Sequence, residues 1–191
     1  LTSSNPLCFG ERFTIDTKLS ASYTYKWYKN DVLIPLATSP SYTVTDAGNY
    51  KVKVTLSPSI CTAEDEIEIE YAPEIVLARG TLVQCDDDSD GLSIFDLTKV
   101  DSILKNNDPK LVKVEYFNSL TEAQGGINPI LNPKTYRNTV PNQVLHAKVS
   151  NTFGCAEYTT LRLVVAYNSI SPQNPIETCD LDEKQDGFTQ F

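Results

Sequence analysis

The densest group of side chains able to bind a ligand is an aspartate-rich stretch in the middle of the 191-residue sequence, Cys85-Asp86-Asp87-Asp88-Ser89-Asp90-Gly91. Asp86, Asp88 and Asp90 place three carboxylates on alternate residues, and Gly91 allows the positive φ that lets a short loop fold around an ion. Hard oxygen ligands at this density suit Ca²⁺, which takes six to eight of them. We therefore predict a calcium loop; the alternative is a solvated acidic turn, since short motifs also arise by chance.

The first half of this loop resembles an EF-hand loop, but its twelfth position, counted from Asp86, is Leu97 rather than glutamate. A helix–loop–helix unit is therefore not expected, and the loop is placed between β-elements. The predicted ligands are the side chains of Asp86, Asp88 and Asp90, the carbonyl of Leu92 and, as a fifth, Asp96.

A second copy of the motif begins at Cys179, which lies 94 residues after Cys85 (179 − 85 = 94). Self-similarity at this spacing indicates tandem domains. The second copy contains Lys184 at an alternate position where a cation cannot be a ligand, so this residue must loop outward. The predicted ligands of the second site are Asp180, Asp182 and Asp186, and residues 169–191 are interpreted as a linker and the start of the next repeat.

Composition limits the kinds of partner. A hydrophobic content of 40% supports real cores, while the net charge of −9 leaves no basic face for nucleic acid or anionic lipid. No apolar run approaches the length of a membrane span, so direct membrane insertion is not expected. The sequence has no methionine and no signal-peptide pattern at its start, and we expect it to be an internal piece of a longer chain.

Five cysteines are present and none belongs to a Cys-x-x-Cys pair, which disfavours zinc and redox motifs. Assigned domain by domain, they predict the disulfides Cys8–Cys61 and Cys85–Cys155, with Cys179 pairing beyond Phe191. Disulfides require an oxidising compartment, so this pairing predicts an exported protein. The alternative is five thiols in a cytosolic protein.

The first predicted domain, residues 1–72, consists of short alternating strands. Trp27 is expected in the core, and the segment Asp46-Ala47-Gly48-Asn49-Tyr50 resembles the tyrosine corner of immunoglobulin-like sandwiches. Val52, rather than cysteine, stands two residues after Tyr50, so the usual inter-sheet disulfide is absent. Lysines of one strand are expected to face glutamates of the next across the ladder.

The second predicted domain, residues 73–168, follows the linker Ala72-Pro73-Glu74. Periodicity predicts a helix over 95–104, a helical turn over 120–124 and strands over 75–77, 111–117, 144–149 and 158–165. The predicted fold class is all-β, with tandem immunoglobulin-like β-sandwiches, the second carrying short helices and the calcium loop.

One combination of motifs is specific: Cys-Asp-x-Asp, Phe-Asp-Leu-Thr, Val-Glu-Tyr-Phe, Asn-Thr-Val-Pro-Asn and a Gly-Cys turn, in that order. It resembles the tandem repeats of very large cell-surface proteins of Bacteroidota. The resemblance implies export by the type IX secretion system, an extracellular, outer-membrane-associated location, and a role in adhesion or gliding motility. Implied partners are neighbouring repeats, surface glycans and other cell-surface proteins. Asp101-Ser102-Ile103 also matches the O-glycosylation pattern of these bacteria, which makes Ser102 a predicted glycosylation site.

No catalytic constellation is recognisable. The only histidine, His146, is predicted on the outer face of a strand beside Lys148, and no Gly-x-Ser-x-Gly motif is present. A catalytic base needs a positioned partner, so we predict that the protein is not an enzyme. The predicted function is a structural stalk segment of a secreted adhesin, stiffened by calcium and disulfides. The alternative is a carbohydrate- or ligand-binding module.

Overall fold

Short strands of alternating apolar and polar residues account for most of the structure. The computed structural model of the protein describes residues 6–56, 61–86 and 88–167. Within these ranges the strands form four sheets, two of two strands and two of four strands. Each four-stranded sheet faces one two-stranded sheet across a hydrophobic core, which gives two modules that we call the N-module and the C-module.

The N-module is entirely antiparallel within its named strands. Sheet orders are β1-β4 and β3-β2-β5-β6. Its core contains Trp27 and Tyr25, which have no exposed surface, together with Tyr50 and Val52. The strands are β1 (Phe13–Asp16), β2 (Thr24–Lys29), β3 (Val32–Leu33), β4 (Ser41–Val44), β5 (Gly48–Thr55) and β6 (Thr62–Ile69).

The outer face of the larger N-module sheet confirms the predicted charge pattern. Lys51 lies opposite Glu66 and Lys53 lies opposite Glu64 in the antiparallel register of β5 and β6. Such exposed cross-strand pairs contribute a few tenths of a kcal/mol each. Their main consequence is to fix which face of these strands turns to solvent, because a one-residue slip would bury charges.

The C-module adds short helices to the same two-sheet plan. Its sheet orders are β7-β12-β11-β9 and β8-β10. The first strand begins at Gly80, so the strand predicted over 75–77 was wrong; residues 72–79 belong to no helix or strand. The elements are β7 (Gly80–Asp86), β8 (Ile94–Phe95), a 3₁₀ turn (Leu97–Val100), α1 (Asp101–Leu104), β9 (Leu111–Phe117), α2 (Leu120–Gly125), a second 3₁₀ turn (Pro133–Thr135), β10 (Tyr136–Arg137), β11 (Val144–Asn151) and β12 (Ala156–Tyr167).

The predicted helix over 95–104 is realised as the 3₁₀ turn and α1. Leu97, Val100 and Leu104 are buried against β11 and β12, whereas Ile103 remains 48% exposed. The hydroxyl of Tyr116 lies within hydrogen-bond reach of the Leu97 carbonyl, which ties this segment to β9. Burial of each large apolar side chain contributes about 1.5 to 3 kcal/mol, so these leucines hold the helical segment more strongly than its four-residue length could.

Both modules bring a segment from the beginning of their chain alongside the end of their last strand, running in the same direction. In the N-module Leu7 forms a parallel bridge with Tyr71, just beyond β6. In the C-module β7 runs parallel to β12 from Gly80 opposite Leu161 to Asp86 opposite Tyr167. Residues just after the end of β6 therefore lie beside Leu7, and the end of β12 lies beside the end of β7.

The protein thus has an all-β, immunoglobulin-like fold, as predicted. The two core clusters share no residue and fall on either side of Ala72 and Pro73. The domain limits at 72 and 168 stay predictions. No helix in the described part of the chain is long and apolar enough to cross a membrane.

Candidate functional site: an inter-module disulfide and an aspartate loop

A disulfide joins the two modules. Cys8 of the N-module is bonded to Cys155 of the C-module, with Cα atoms 5.4 Å apart and a sequence separation of 147. The predicted pairs Cys8–Cys61 and Cys85–Cys155 are therefore wrong. All four cysteines were correctly placed in strand-rich modules, but their pairing does not stay within one module.

Strand direction explains why the predicted pairs cannot form. Cys61 immediately precedes β6, whereas Cys8 lies beside the residues that follow β6. Similarly, Cys155 precedes β12, whereas Cys85 pairs with Ala166 at its other end. Ten or eleven residues of extended strand span roughly 35 Å. A disulfide needs Cα atoms within about 7 Å, so each predicted pair lies at opposite ends of its module.

The buried carboxylate of Asp86 organises the aspartate loop. Its Oδ1 accepts hydrogen bonds from the backbone N–H groups of Asp88 and Ser89 at 3.3 and 2.7 Å, and its Oδ2 accepts from Gly91 at 2.8 Å. Gly91 has φ +77°, the left-handed conformation that glycine was predicted to supply. Burial raises the pKa of Asp86, but the N–H groups of Gly91, Ser89 and Asp88 outweigh it and hold the pKa below its usual value.

Three of the predicted ligands come together. Carboxylate oxygens of Asp86, Asp88 and Asp90 lie within 4.8 Å of one another, the first buried and the other two exposed. Asp88 also accepts from the N–H of Asp90, and Asp90 accepts from the N–H of Leu92 at 2.7 Å. The loop therefore presents converging oxygen atoms on a backbone whose N–H groups are largely satisfied by the same side chains.

Arg137 and Asn138, at the end of β10 and just after it, make hydrogen bonds to the aspartate loop and to the residues that follow it. Arg137 of β10 donates from Nη2 to Oδ2 of Asp90 at 2.9 Å and forms an ion pair with it. Asn138 is 2% exposed; its Oδ1 accepts from the N–H of Ser93 at 2.6 Å. Its Nδ2 donates to the carbonyls of Gly91 and Val140 at 3.0 and 2.9 Å.

Sequence reasoning missed Arg137 and Asn138. Asn138 lies 47 residues from Gly91, so no local spacing links them. The motif Asn138-Thr139-Val140-Pro141-Asn142 is visible in the sequence, but nothing in it indicates a partner. The distance in sequence explains why periodicity and turn rules could not find this contact.

Asp96 is not brought into the carboxylate cluster. Its side chain accepts from the N–H and hydroxyl of Thr98 at 3.1 and 2.6 Å and caps the first 3₁₀ turn. The Thr98 hydroxyl is the main cause that holds the pKa of Asp96 below its usual value. This role is the N-capping function expected of aspartate at a helix start.

The other residues singled out in the sequence lie outside the carboxylate cluster or outside the described part of the chain. The Leu92 carbonyl stays a predicted ligand, and Ser102 is exposed on α1, where glycosylation stays a prediction. His146 lies half-buried in β11 between the buried residues Leu145 and Ala147, on the opposite face of the strand as predicted. Asp180, Asp182, Asp186 and Cys179 lie outside the described residues.

Comparison with known proteins matches residues 81–170 to the family described as the Flavobacterium inter-domain disulphide bond domain. This match covers the C-module and indicates an origin in the Bacteroidota. The observed Cys8–Cys155 bond agrees with the family description. No curated protein matches the chain.

Three of the solved structures that match the chain illustrate how distant the similarity is. Murine CEACAM1b is 13% identical, with 85% of this chain and 96% of that chain covered and a TM-score of 0.35. The three N-terminal domains of the bacteriophage RB49 outer capsid protein Hoc are 18% identical, with coverage of 83% and 56% and a TM-score of 0.33. Sidekick-1 immunoglobulin domains 1-4 are 14% identical, with a TM-score of 0.32; this chain is covered over 90% of its length and spans 48% of theirs. Similarities this distant carry no functional argument.

Proposed function

We propose that this protein is a structural spacer of a secreted cell-surface adhesin of Bacteroidota, in which paired immunoglobulin-like modules are locked together. The observation that carries the proposal is the bond between Cys8 and Cys155, because it fixes one module against the next rather than stabilising either core. An extracellular location follows from the disulfide. Export by type IX secretion and a role in adhesion or gliding belong to the same proposal.

The position of the disulfide determines which part of the chain carries tension. A pull applied before Cys8 and after β12 passes through the sulfur atoms directly into Cys155 and along β12. The 147-residue separation between the two cysteines, which includes the whole N-module core, is then outside the load path. β12 is already extended, so pulling can lengthen it only slightly. Its residues 156–162 pair with β11, and its residues 161–167 pair with β7.

Single-molecule force spectroscopy tests the spacer function. With handles at residues 6 and 167, the oxidised protein should show no unfolding step from the N-module. The double variant Cys8→Ser/Cys155→Ser should release roughly 500 Å of additional contour length, at about 3.3 to 3.6 Å per residue. Cys85→Ser is the matched control and should behave as the unchanged protein. Equal extension of oxidised and double-variant proteins would reject the spacer proposal.

We further propose that the aspartate loop binds Ca²⁺ and stiffens the C-module. Support comes from the converging oxygens of Asp86, Asp88 and Asp90, the ligand type that Ca²⁺ prefers. Arg137 already neutralises part of the charge of Asp90, so the ion must compete with a guanidinium. An extracellular module of this kind typically has a Kd of roughly 10⁻⁴ to 10⁻³ M.

Calcium titration followed by calorimetry tests this second proposal. Ligand binding to the folded state alone adds about 2.7 kcal/mol of stability at a hundredfold excess over Kd. The melting temperature of the C-module should rise with Ca²⁺ and not with Mg²⁺, and Asp88→Ala/Asp90→Ala should abolish this rise. The control Glu68→Ala/Glu70→Ala removes the same charge from the N-module and should leave the calcium-dependent rise unchanged. Arg137→Gln should tighten binding by about fivefold, the equivalent of 1 kcal/mol.

A ligand-binding role is the second candidate, and one cavity favours it. A space of about 380 Å³ lies beside the inter-module linker and is lined by Pro73, Ile75, Leu111, Val112 and Phe153. Phe153 is 51% exposed and offers an aromatic face on which a sugar ring could stack. A glycan array with the unchanged protein and Phe153→Ala would favour this role only if the unchanged protein binds reproducibly and the variant does not.

A further inference from the structure

The disulfide between the two modules lies beside a cavity of about 290 Å³ that both of its cysteines line. Cys155 is 5% exposed, whereas Cys8 is half-buried and is the more accessible of the two residues. A small thiol therefore has a place from which to approach the bond, and it meets Cys8 first.

A tight turn holds one carboxylate at Cys8. The N–H of Glu11 donates to the carbonyl of Cys8 at 2.9 Å, and Gly10, with φ +78°, supplies the positive φ that this turn needs. The turn brings the side chain of Glu11 back to its start, where Oε2 accepts a hydrogen bond from the N–H of Cys8 at 3.1 Å. The negative charge of Glu11 is therefore fixed next to the disulfide.

Two more glutamates line the cavity itself. Glu74 belongs to the linker and Glu157 to β12, two residues after Cys155, and both are exposed. No basic side chain among the described residues lines this cavity. Arg79 and Lys110 line neighbouring cavities that Glu157 and Glu74 also border, but within the described part of the chain they form no ion pair with these glutamates. The cavity wall at the bond therefore carries charge of one sign.

We propose that the Cys8–Cys155 bond exchanges with small thiols according to their charge. Thiols with no net negative charge reach the bond through the cavity, whereas anionic thiols such as glutathione are repelled by Glu11, Glu74 and Glu157. Two observations carry the inference: the cavity that both cysteines line, and the carboxylates around it. The inference goes beyond the spacer function and does not depend on it, since it concerns which reductants can open the bond.

The exchange has two steps. The thiolate of the small thiol attacks Sγ of Cys8, a mixed disulfide forms, and Cys155 leaves as a thiolate that takes a proton from water. A second thiolate attacks the small-molecule sulfur of the mixed disulfide, which releases Cys8 and a small-molecule disulfide. Two small thiols lose two electrons in total, and the protein disulfide gains them.

Nearby carboxylates oppose the first step because it brings a negative charge to the protein sulfur atoms. At low ionic strength, a carboxylate about 7 Å from a unit negative charge slows the approach of that charge about threefold in water. The effect adds over several carboxylates and grows with the charge of the thiol. It fades in roughly 1 M salt, where charges are screened beyond about 3 Å.

Three reductants of different charge provide the test. The reacting thiolate form of glutathione is a dianion, that of 2-mercaptoethanol is a monoanion, and that of cysteamine is neutral overall. The oxidised protein is treated with each at low ionic strength, quenched with acid and labelled with maleimide. Mass spectrometry then measures the rate at which the Cys8 and Cys155 peptides become labelled and identifies the cysteine that carries the mixed disulfide, which we expect to be Cys8.

The variant Glu74→Gln/Glu157→Gln removes two charges from the cavity and leaves Glu11, which holds the turn, unchanged. It should speed reduction by glutathione roughly tenfold, by 2-mercaptoethanol about fivefold and by cysteamine no more than about twofold. In roughly 1 M salt these differences should disappear. The matched control Glu64→Gln/Glu66→Gln removes the same charge from the exposed face of β6 and should leave all three rates unchanged. Tryptophan fluorescence checks that the N-module of each variant is folded.

The pattern across the three thiols decides the outcome. Equal acceleration of all three by the cavity variant would mean that the glutamates block access by their size, and it would overturn the inference. Unchanged glutathione rates would overturn it as well. A mixed disulfide found only on Cys155 would contradict the assigned point of attack. None of these results affects the spacer proposal, which requires only that the bond is present under load.

Discussion

The two modules differ in the sequence distance spanned by their polar anchors, which are side chains that hydrogen-bond to backbone groups of another segment. In the N-module Tyr50 donates from its hydroxyl to the carbonyl of Asp46 at 2.9 Å, and Trp27 donates from Nε1 to the carbonyl of Ser39 at 2.9 Å. In the C-module Asn138 joins backbone groups 45 and 47 residues away, at Ser93 and Gly91. The two hydrogen bonds of Tyr50 and Trp27 therefore span 4 and 12 residues, whereas those of Asn138 span about half the length of the C-module.

This difference has consequences for stability. A local anchor fixes one corner of a sandwich, and its loss leaves the strand pairing in place. A long-range anchor buried among carbonyls ties together segments that are also joined by the small β8-β10 sheet, which has two residue pairs, and by the exposed ion pair between Arg137 and Asp90. We therefore expect polar substitutions to be more damaging in the C-module, although apolar core substitutions should be equally severe in both.

The largest expected effect comes from the core residues themselves. Trp27→Ala should lower the stability of the N-module by about 3 to 5 kcal/mol, since a fully buried indole leaves a large cavity. Phe95→Ala is the counterpart in the C-module and should have an effect of similar size there. Calorimetry resolves the two transitions; a change confined to the other module in either variant would contradict the separation of the cores.

Asn138→Ala should lower the stability of the C-module by about 2 kcal/mol. The substitution leaves the N–H of Ser93 and the carbonyls of Gly91 and Val140 without their buried partner, and each such loss is unfavourable. Asn132→Ala is the matched control, because Asn132 is exposed and its side chain makes no capping bond. Equal melting temperatures for the two variants would show that the long-range anchor is not needed.

These anchors also show what the sequence could and could not predict. The tyrosine corner was predicted because Asp46 and Tyr50 are four residues apart and their types identify the turn. Burial of Trp27 followed from alternation along β2. The three carboxylates of the loop were identified because they alternate over five residues. The burial of Asp86 was not predicted. The ion pair between Asp90 and Arg137 was not predicted either, because it depends on a strand that returns 47 residues later.

The disulfide pairing could not be predicted either, because it also depends on contacts between residues distant in sequence. The number of cysteines and their placement in the modules follow from the sequence, but the pairing depends on which end of a strand faces which neighbour. The parallel arrangement of β7 with β12 decides this for Cys85 and Cys155, and parallel pairing between first and last strands has no local sequence signature. Sequence spacing alone favoured partners within one module, and the direction of the last strand overrides it.

Tyr50→Phe should have a smaller effect, about 1 kcal/mol, confined to the N-module. The ring stays buried and only the hydrogen bond to the Asp46 carbonyl is lost. Trp27 is the only tryptophan in the sequence, so its fluorescence reports N-module unfolding without interference from the C-module. Tyr28→Phe, on the outer face of the same sheet, is the control. A loss of more than about 3 kcal/mol would mean that the corner does more than satisfy one carbonyl.

The smallest effect should be the pH dependence that Asp86 gives to the C-module. Its pKa is lowered from the usual value of 3.8 because the N–H groups of Gly91, Ser89 and Asp88 together outweigh burial, which acts in the opposite direction. A group whose pKa is lowered on folding contributes stability above its unfolded pKa, and this contribution is lost as the pH falls through the folded pKa. In chelator, the stability difference between the unchanged protein and Asp86→Asn should therefore be constant near neutral pH and shrink once the pH falls below 3.8.

Asp16→Asn provides a comparison in the N-module, where the Lys18 ammonium is the main cause of a lowered pKa. Salt should weaken the Asp16 effect, since that pair is exposed, and should leave the Asp86 effect nearly unchanged because its partners are fixed backbone groups. An Asp86 difference that disappears in salt would show that the loop is held by surface charge rather than by its backbone hydrogen bonds.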